Sequence, residues 1–141
     1  MDPCSHLLVT ALVVGHEPPT LLAGLAPDLP WYLLYPAWLL ARGKLRQAWR
    51  SGEWPLPPGW VCQIHYASHS LLSTVFIVGL LRLRRGASPG GQALAWLLHI
   101  LLDIPTHSRQ RLGPRPFWPL SSWAYDGFSW ADALARWLTR G

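Results

Sequence analysis

The chain has 141 residues, half of them apolar and only 13% charged, with ten Trp and a net charge of +5 carried far more by Arg than by Lys. That length fits one domain over 1–141. About half the usual share of charge, with a mean hydropathy of +0.16, argues against an ordinary fully solvated domain and for one in or against a membrane. The basic residues cluster in short loops, Arg42 to Arg50, Arg82 to Arg85 and Arg109 to Arg115, each after an apolar segment. This suits anchoring at anionic headgroups and disfavours nucleic acid, which calls for charge along one face.

Ser5 to Gly15 reads as a short apolar helix with His6 in its first turn, below the ~20 residues that cross a bilayer. The first residues lack a basic start and include Asp2, unlike a cleavable signal peptide. His16-Glu17-Pro18-Pro19 makes the first break. Thr20 to Ala41 is long enough to cross but is interrupted by APDLP, so two half-helices joined near Asp28 are expected. Arg42 to Pro58 reads as a basic, Pro-rich loop. Trp60 to Leu81 is the best spanning candidate, about twenty residues without a formal charge, although it carries His65 and His69. If it runs antiparallel to the next helix, the 42–58 and 105–117 loops share the more basic, cytoplasmic side.

Gln92 to Ile104 reads as the helix around which the chain is organised. It carries His99 and Asp103 one turn apart on an apolar segment. Pro105 ends or kinks it, and His107 follows just beyond. A last helix is expected after Ser129, with Asp132 at the capping-box position and Trp130, Leu134, Trp137 and Leu138 on one face. No strand pattern or internal repeat is visible. Cys4 and Cys62 have neither metal nor disulfide spacing. The expected fold is all-α, a compact bundle of four or five short helices, embedded in or associated with a membrane.

His6, Asp28, His65, His69, His99 and Asp103 are the polar residues set within apolar segments. An ionised Asp near a bilayer centre costs about 2.5–3.5 kcal/mol, and a divalent cation is the largest local compensation for two of them. Imidazole with carboxylate suits zinc, manganese or iron, and ligands four apart on facing helices can converge on one centre. The competing reading at Asp28 is an N-cap for the helix through Trp31. For His65 and His69 it is burial with backbone partners, for His99 with Asp103 a structural hydrogen-bonded pair, for His6 a solvated or capping residue, for His107 simple exposure, and for Asp126-Gly127 a turn.

At these positions the chain resembles the membrane-bound metal-dependent hydrolases, also described as LexA-binding, inner-membrane-associated hydrolases. That family's pattern runs from a small residue and His, through a leucine-rich Pro-Asp motif and HRGxTHS, to HxxxD, a turn and a Trp-Pro motif. The counterparts here are Ser5-His6, LAPDL with Asp28, HYASHS with His65 and His69, HILLD with His99 and Asp103, and FWPLS from Phe117. Pro30 and Trp31 stand where the family has a second Asp and a His, and HYAS lacks the Arg and Gly of HRGxT. DIPTHS and the later YDGFSW resemble a sub-branch of that family, which implies that His107 and Asp126 would join the site. The HxxxD element is also similar to one in the zinc-dependent phospholipase C group, helical enzymes that cleave phosphodiesters.

The resemblance and the constellation together imply an inner-membrane hydrolase. Its metal, zinc first with manganese or iron as alternatives, would be held among His6, Asp28, His65, His69, His99 and Asp103. Asp28 or Asp103 would take a proton from water, and His107 would protonate the leaving group. Arg109 or Arg111 would hold an anionic headgroup of a membrane lipid or lipid-like substrate. Two alternatives stand beside this: a haem-binding electron carrier with axial histidines, and a non-catalytic helical membrane adaptor whose polar residues lock its helices together.

Overall fold

The structure, a computed structural model, describes residues 2–85, 90–109, 112–129, 133, 136 and 137. Among them the chain is all-helical, as expected. It forms seven helices: α1 (Pro3–Val13), α2 (Pro18–Leu25), α3 (Leu29–Ala41), α4 (Leu45–Ser51), α5 (Gly59–Ser68), α6 (Leu71–Arg85) and α7 (Gly90–Thr106). The expected number was four or five. One addition is α4, which forms inside the stretch read as a loop; the other comes from a break within 60–81.

Proline starts three of these helices. Pro3, Pro18 and Pro30 each fall in the first two helical positions, where the missing N–H has no intrahelical partner to lose. Asp2 caps α1, its carboxylate accepting from the Ser5 backbone N–H at 3.0 Å and the Ser5 hydroxyl at 2.6 Å. Asp28 occupies the N-cap position of α3, yet its side chain makes no capping bond. The carboxylate is therefore left for other partners.

Neither Pro nor Gly breaks α5 from α6. The Leu71 N–H bonds the Pro116 carbonyl at 2.9 Å, a tertiary partner in place of an intrahelical one. The Ser70 hydroxyl donates to the Trp118 carbonyl at 2.6 Å. The segment around the Trp-Pro motif thus caps the junction and turns His69 out of the helical path. Among the described residues no single helix is long and apolar enough to cross a membrane; α5 and Leu71–Leu80 pass that test only together, bent by 65°. The continuous span expected over 60–81 is corrected accordingly.

The core is unusual in composition. Its apolar cluster is small, Tyr35, Leu39 and Val61 with Trp31, Leu34, Trp38 and Leu45 against it. His6, Thr10, Thr20, Asp28, His65, His69, Ser70, Thr74, His99 and Asp103 are all buried. Large apolar side chains such as Leu12, Leu33, Leu40, Val75, Phe76 and Leu120 face outwards. The polar centre is built where α1, α2 and α7 pack together. Gly24 allows that approach: a Cβ there would stand 2.5 Å from Thr10 Oγ1.

Helix α7 runs two residues past the expected end, with Pro105 in its last turn. Its terminal carbonyls are taken by the returning chain, Phe128 N–H to Pro105 at 3.1 Å and Gly127 N–H to His107 at 3.1 Å. Gly127 is required at this crossing, since a Cβ would lie 2.2 Å from the Pro105 oxygen. Apart from Ala133, Arg136 and Trp137, the helix expected after Ser129 lies outside the described residues, as does Arg111.

Candidate metal centre

Four of the six proposed ligands converge. One ligand atom from each of Asp28, His69, His99 and Asp103 lies within 4.8 Å of all the others, and all four residues are buried. His99 and Asp103 come from successive turns of α7, His69 from the α5–α6 junction and Asp28 from the α2–α3 joint. Asp103 Oδ2 stands 3.3 Å from His99 Nε2 and 3.4 Å from His69 Nε2. Asp28 Oδ1 stands 3.4 Å from His69 Nε2 and 3.7 Å from His99 Nε2.

Hydrogen bonds to main-chain carbonyls set the state of both imidazoles. His99 Nδ1–H donates to the Gly24 carbonyl at 2.7 Å, and His69 Nδ1–H to the His65 carbonyl at 3.0 Å. A carbonyl only accepts, so the proton must sit on Nδ1 and the neutral ring keeps its lone pair on Nε2. These two Nε2 atoms face each other at 3.3 Å. Two lone pairs at that separation repel unless a cation, or an added proton, lies between them and the carboxylates. The backbone-tied Nδ1 is also the usual partner arrangement of a metal-ligating histidine.

Electrostatics follow the same geometry. Burial works to lower the His99 pKa, but the bonds to Asp103 and Asp28 outweigh it and lift it to about 9. His69 is raised too, burial again being overcome by Asp103 and Asp28. Burial would raise the two carboxyls, yet their imidazole partners hold both well below the ordinary range. In the absence of a metal, protons fill the place between nitrogen and oxygen.

His6 and His65 take other positions. His6 Nε2–H donates to Asp103 Oδ1 at 3.0 Å, on the carboxylate oxygen turned away from His69 and His99. Its ring stacks on His99 with centroids 3.7 Å apart. It therefore orients Asp103, and burial lowers its pKa despite that bond. His65 Nε2–H donates to the Leu112 carbonyl at 3.1 Å, leaving a buried Nδ1 without a partner. Burial, then the charge of His69, lowers its pKa to about 3. Leu112 supplies that carbonyl from a left-handed conformation, φ 55°, which an L residue adopts at a steric cost.

His107 is at the rim, its side chain 24% exposed and its Nδ1 3.2 Å from the Asp103 carbonyl and 3.4 Å from Oδ1. Arg109 is turned to the C-terminal segment, donating through Nε and Nη2 to the Ala124 carbonyl at 3.2 and 2.8 Å. Asp126 accepts from the Arg109 backbone N–H at 2.8 Å, away from the four converging residues. Of those four, the Asp28 side chain is the most open, 12% exposed, although its partnerless Oδ2 is itself buried.

One backbone contribution escaped the sequence reading. The Pro116 and Trp118 carbonyls position His69 through Ser70 and Leu71, a backbone role that no side-chain pattern announces. Tyr32, one turn after Asp28, has its phenol pushed up to about 12 by burial and then by the charges of Asp28 and Asp103; it stays a hydrogen donor at neutral pH. Its i+4 spacing from Asp28 was visible in the sequence. No protein-family model, curated protein or solved structure matches the chain.

Proposed function

We propose that the protein is a membrane-associated hydrolase of esters or phosphoesters, dependent on a divalent metal held by Asp28, His69, His99 and Asp103. The observation that carries this reading is the 3.3 Å approach of two Nε2 lone pairs flanked by two carboxylates. Paired imidazoles and carboxylates suit zinc first, then manganese or iron. The motif resemblance supports the same class. Once bound, such an ion lowers the pKa of a water and polarises the substrate oxygen.

The chain's own residues divide the remaining work. Asp103 has Oδ2 against His69 and His99 and Oδ1 against His6 and His107, so it holds position. Asp28 has one oxygen towards the imidazoles and the other without a partner, which makes it the better base for the attacking water. His107 donates Nδ1–H to Asp103 and keeps its Nε2 lone pair to take up a proton and pass it to the leaving group. Exposed Leu12, Leu33, Val75 and Phe76 support seating at a lipid surface, and hence a lipid-like substrate.

Metal analysis of the purified protein, alongside hydrolysis of a p-nitrophenyl ester and a p-nitrophenyl phosphodiester, tests the reading. Bound metal near stoichiometry is expected, lost in His99→Ala. Asp28→Asn is expected to lower turnover by about 10²–10⁴-fold while metal remains detectable. Absence of metal, or hydrolysis indifferent to a chelator, would overturn it.

A second reading is favoured by the near-complete burial of the four residues beside a small apolar core. In it the centre locks helices together as a structural site, as closed four-ligand sites do. It predicts metal dependence of the fold with no hydrolysis by either substrate. A haem carrier fits less well, because His69 and His99 leave no slot for a porphyrin between them.

A further inference from the structure

A cavity of about 340 Å³ is lined by Tyr66, Arg109, Arg115 and Ser122 among others. Two arginines thus line one cavity, with Arg109 on its exposed side. Among the described residues neither has a carboxylate within ion-pair distance; Asp126 reaches the Arg109 backbone N–H and not its side chain. Like charges lining one cavity repel, and an anion bound there would offset that repulsion.

Both arginines are prepared for a ligand. Arg115 lies over the Tyr66 ring, Cζ 3.9 Å from its centroid, a stacking that fixes the plane and leaves the N–H edges open. Arg109 is tied to the Ala124 carbonyl through Nε and one Nη2 hydrogen, which leaves the outer Nη1–Nη2 edge free. That edge matches two oxygens of a phosphate in a bidentate pair. The Tyr66 and Ser122 hydroxyls have no protein partner among the described residues and can complete the shell.

We propose that this cavity binds a phosphate group through Arg109 and Arg115, with the hydroxyls of Tyr66 and Ser122. The site shares no residue with the metal centre and does not depend on it. Its ligand is either free inorganic phosphate or the phosphate of a lipid headgroup.

Inorganic phosphate is titrated calorimetrically into the protein at low ionic strength, before and after EDTA treatment, with a melting curve recorded for every sample. Saturable binding is expected that survives EDTA, weakens with added salt, and falls at least tenfold in Arg115→Gln. Arg109→Gln should match that loss. Because Arg109 also ties down Ala124, Arg115→Lys gives an independent readout: charge is kept, the planar fork is lost, and binding should fall several-fold. Lys44→Gln, on a distant loop, should change nothing.

Vesicles with a phosphate-monoester headgroup form the second arm. If they bind, lose binding in Arg115→Gln and are displaced by inorganic phosphate, the source is lipid; if only inorganic phosphate responds to the substitution, the source is the free ion. The proposal fails if neither probe binds, if binding ignores both arginine substitutions, or if EDTA abolishes it in protein that still melts normally. That last result would place phosphate on the metal. A failed metal centre, in contrast, leaves the EDTA-treated titration unchanged.

Discussion

At His99 one ring nitrogen is tied to the Gly24 carbonyl and the other faces His69 Nε2 at 3.3 Å. A metal and a proton would therefore compete for the same lone pair, and pH should act on the metal-free protein in a defined direction. The His99 pKa, raised to about 9 from 6.5, contributes stability that is complete below about 6.5 and disappears as pH rises through about 9. Asp28 and Asp103, held below their usual 3.8, contribute stability that is present above that value and lost as pH falls through their depressed pKa values. Metal-stripped protein should thus lose stability between pH 6.5 and 9. Metal-loaded protein should hold or gain it there, because deprotonated imidazole binds the ion. Denaturant titrations at both ends of that range decide the sign.

Substitutions at this scale should separate the histidines by role. His99→Gln should abolish metal binding. His6→Ala, which removes the partner of Asp103 Oδ1, should weaken it about 10–100-fold. His65→Gln loses the bond to the Leu112 carbonyl, costing about 1 kcal/mol of stability, and should leave metal stoichiometry unchanged. Competition with a chromophoric chelator measures all three.

Between elements, the centre depends on how closely α1 meets α2. A Cβ at Gly24 would come within 2.5 Å of Thr10 Oγ1, so Gly24→Ala should separate the helices and shift the carbonyl that holds His99. A loss of about 1–3 kcal/mol is expected, with Thr10→Ala restoring part of it in the double variant. At the α5–α6 junction, Ser70→Ala removes the part-buried bond to the Trp118 carbonyl, costing about 0.5–1.5 kcal/mol. Metal affinity should fall with it, since the junction aims His69. Thermal melts and metal titrations of the same variants test whether the two losses travel together.

For the molecule as a whole, a small apolar core beside a large buried polar centre would make a bound ion a major contributor to the fold. Metal at 1,000 times its Kd adds about 4 kcal/mol, on the order of 10 °C in Tm for a domain of this size. Stripping the metal should lower the melting temperature by that amount. The outward apolar side chains should bring the protein to vesicles, and Phe76→Asp, at a 72% exposed position, should reduce that partition without altering the melt.

The sequence by itself determined the helical class, the starts of three helices at proline, and the residues able to ligate a metal. Each of these rests on local rules: ring-locked φ, 3.6-residue spacing, and the chemistry of imidazole and carboxylate. The Asp2-Pro3 cap was equally local and could have been read from the same rule. Only the tertiary structure decided which candidates meet. His65 and His69 share a helical spacing, yet a Pro116 carbonyl ends the helix between Ser68 and Leu71 and sends only His69 into the centre. His6 and Asp103 are 97 residues apart, and whether His6 would hold a metal or hold Asp103 depended on the closeness of α1 to α7. Such outcomes are set by competition for hydrogen bonds between distant segments, which spacing along the chain does not encode.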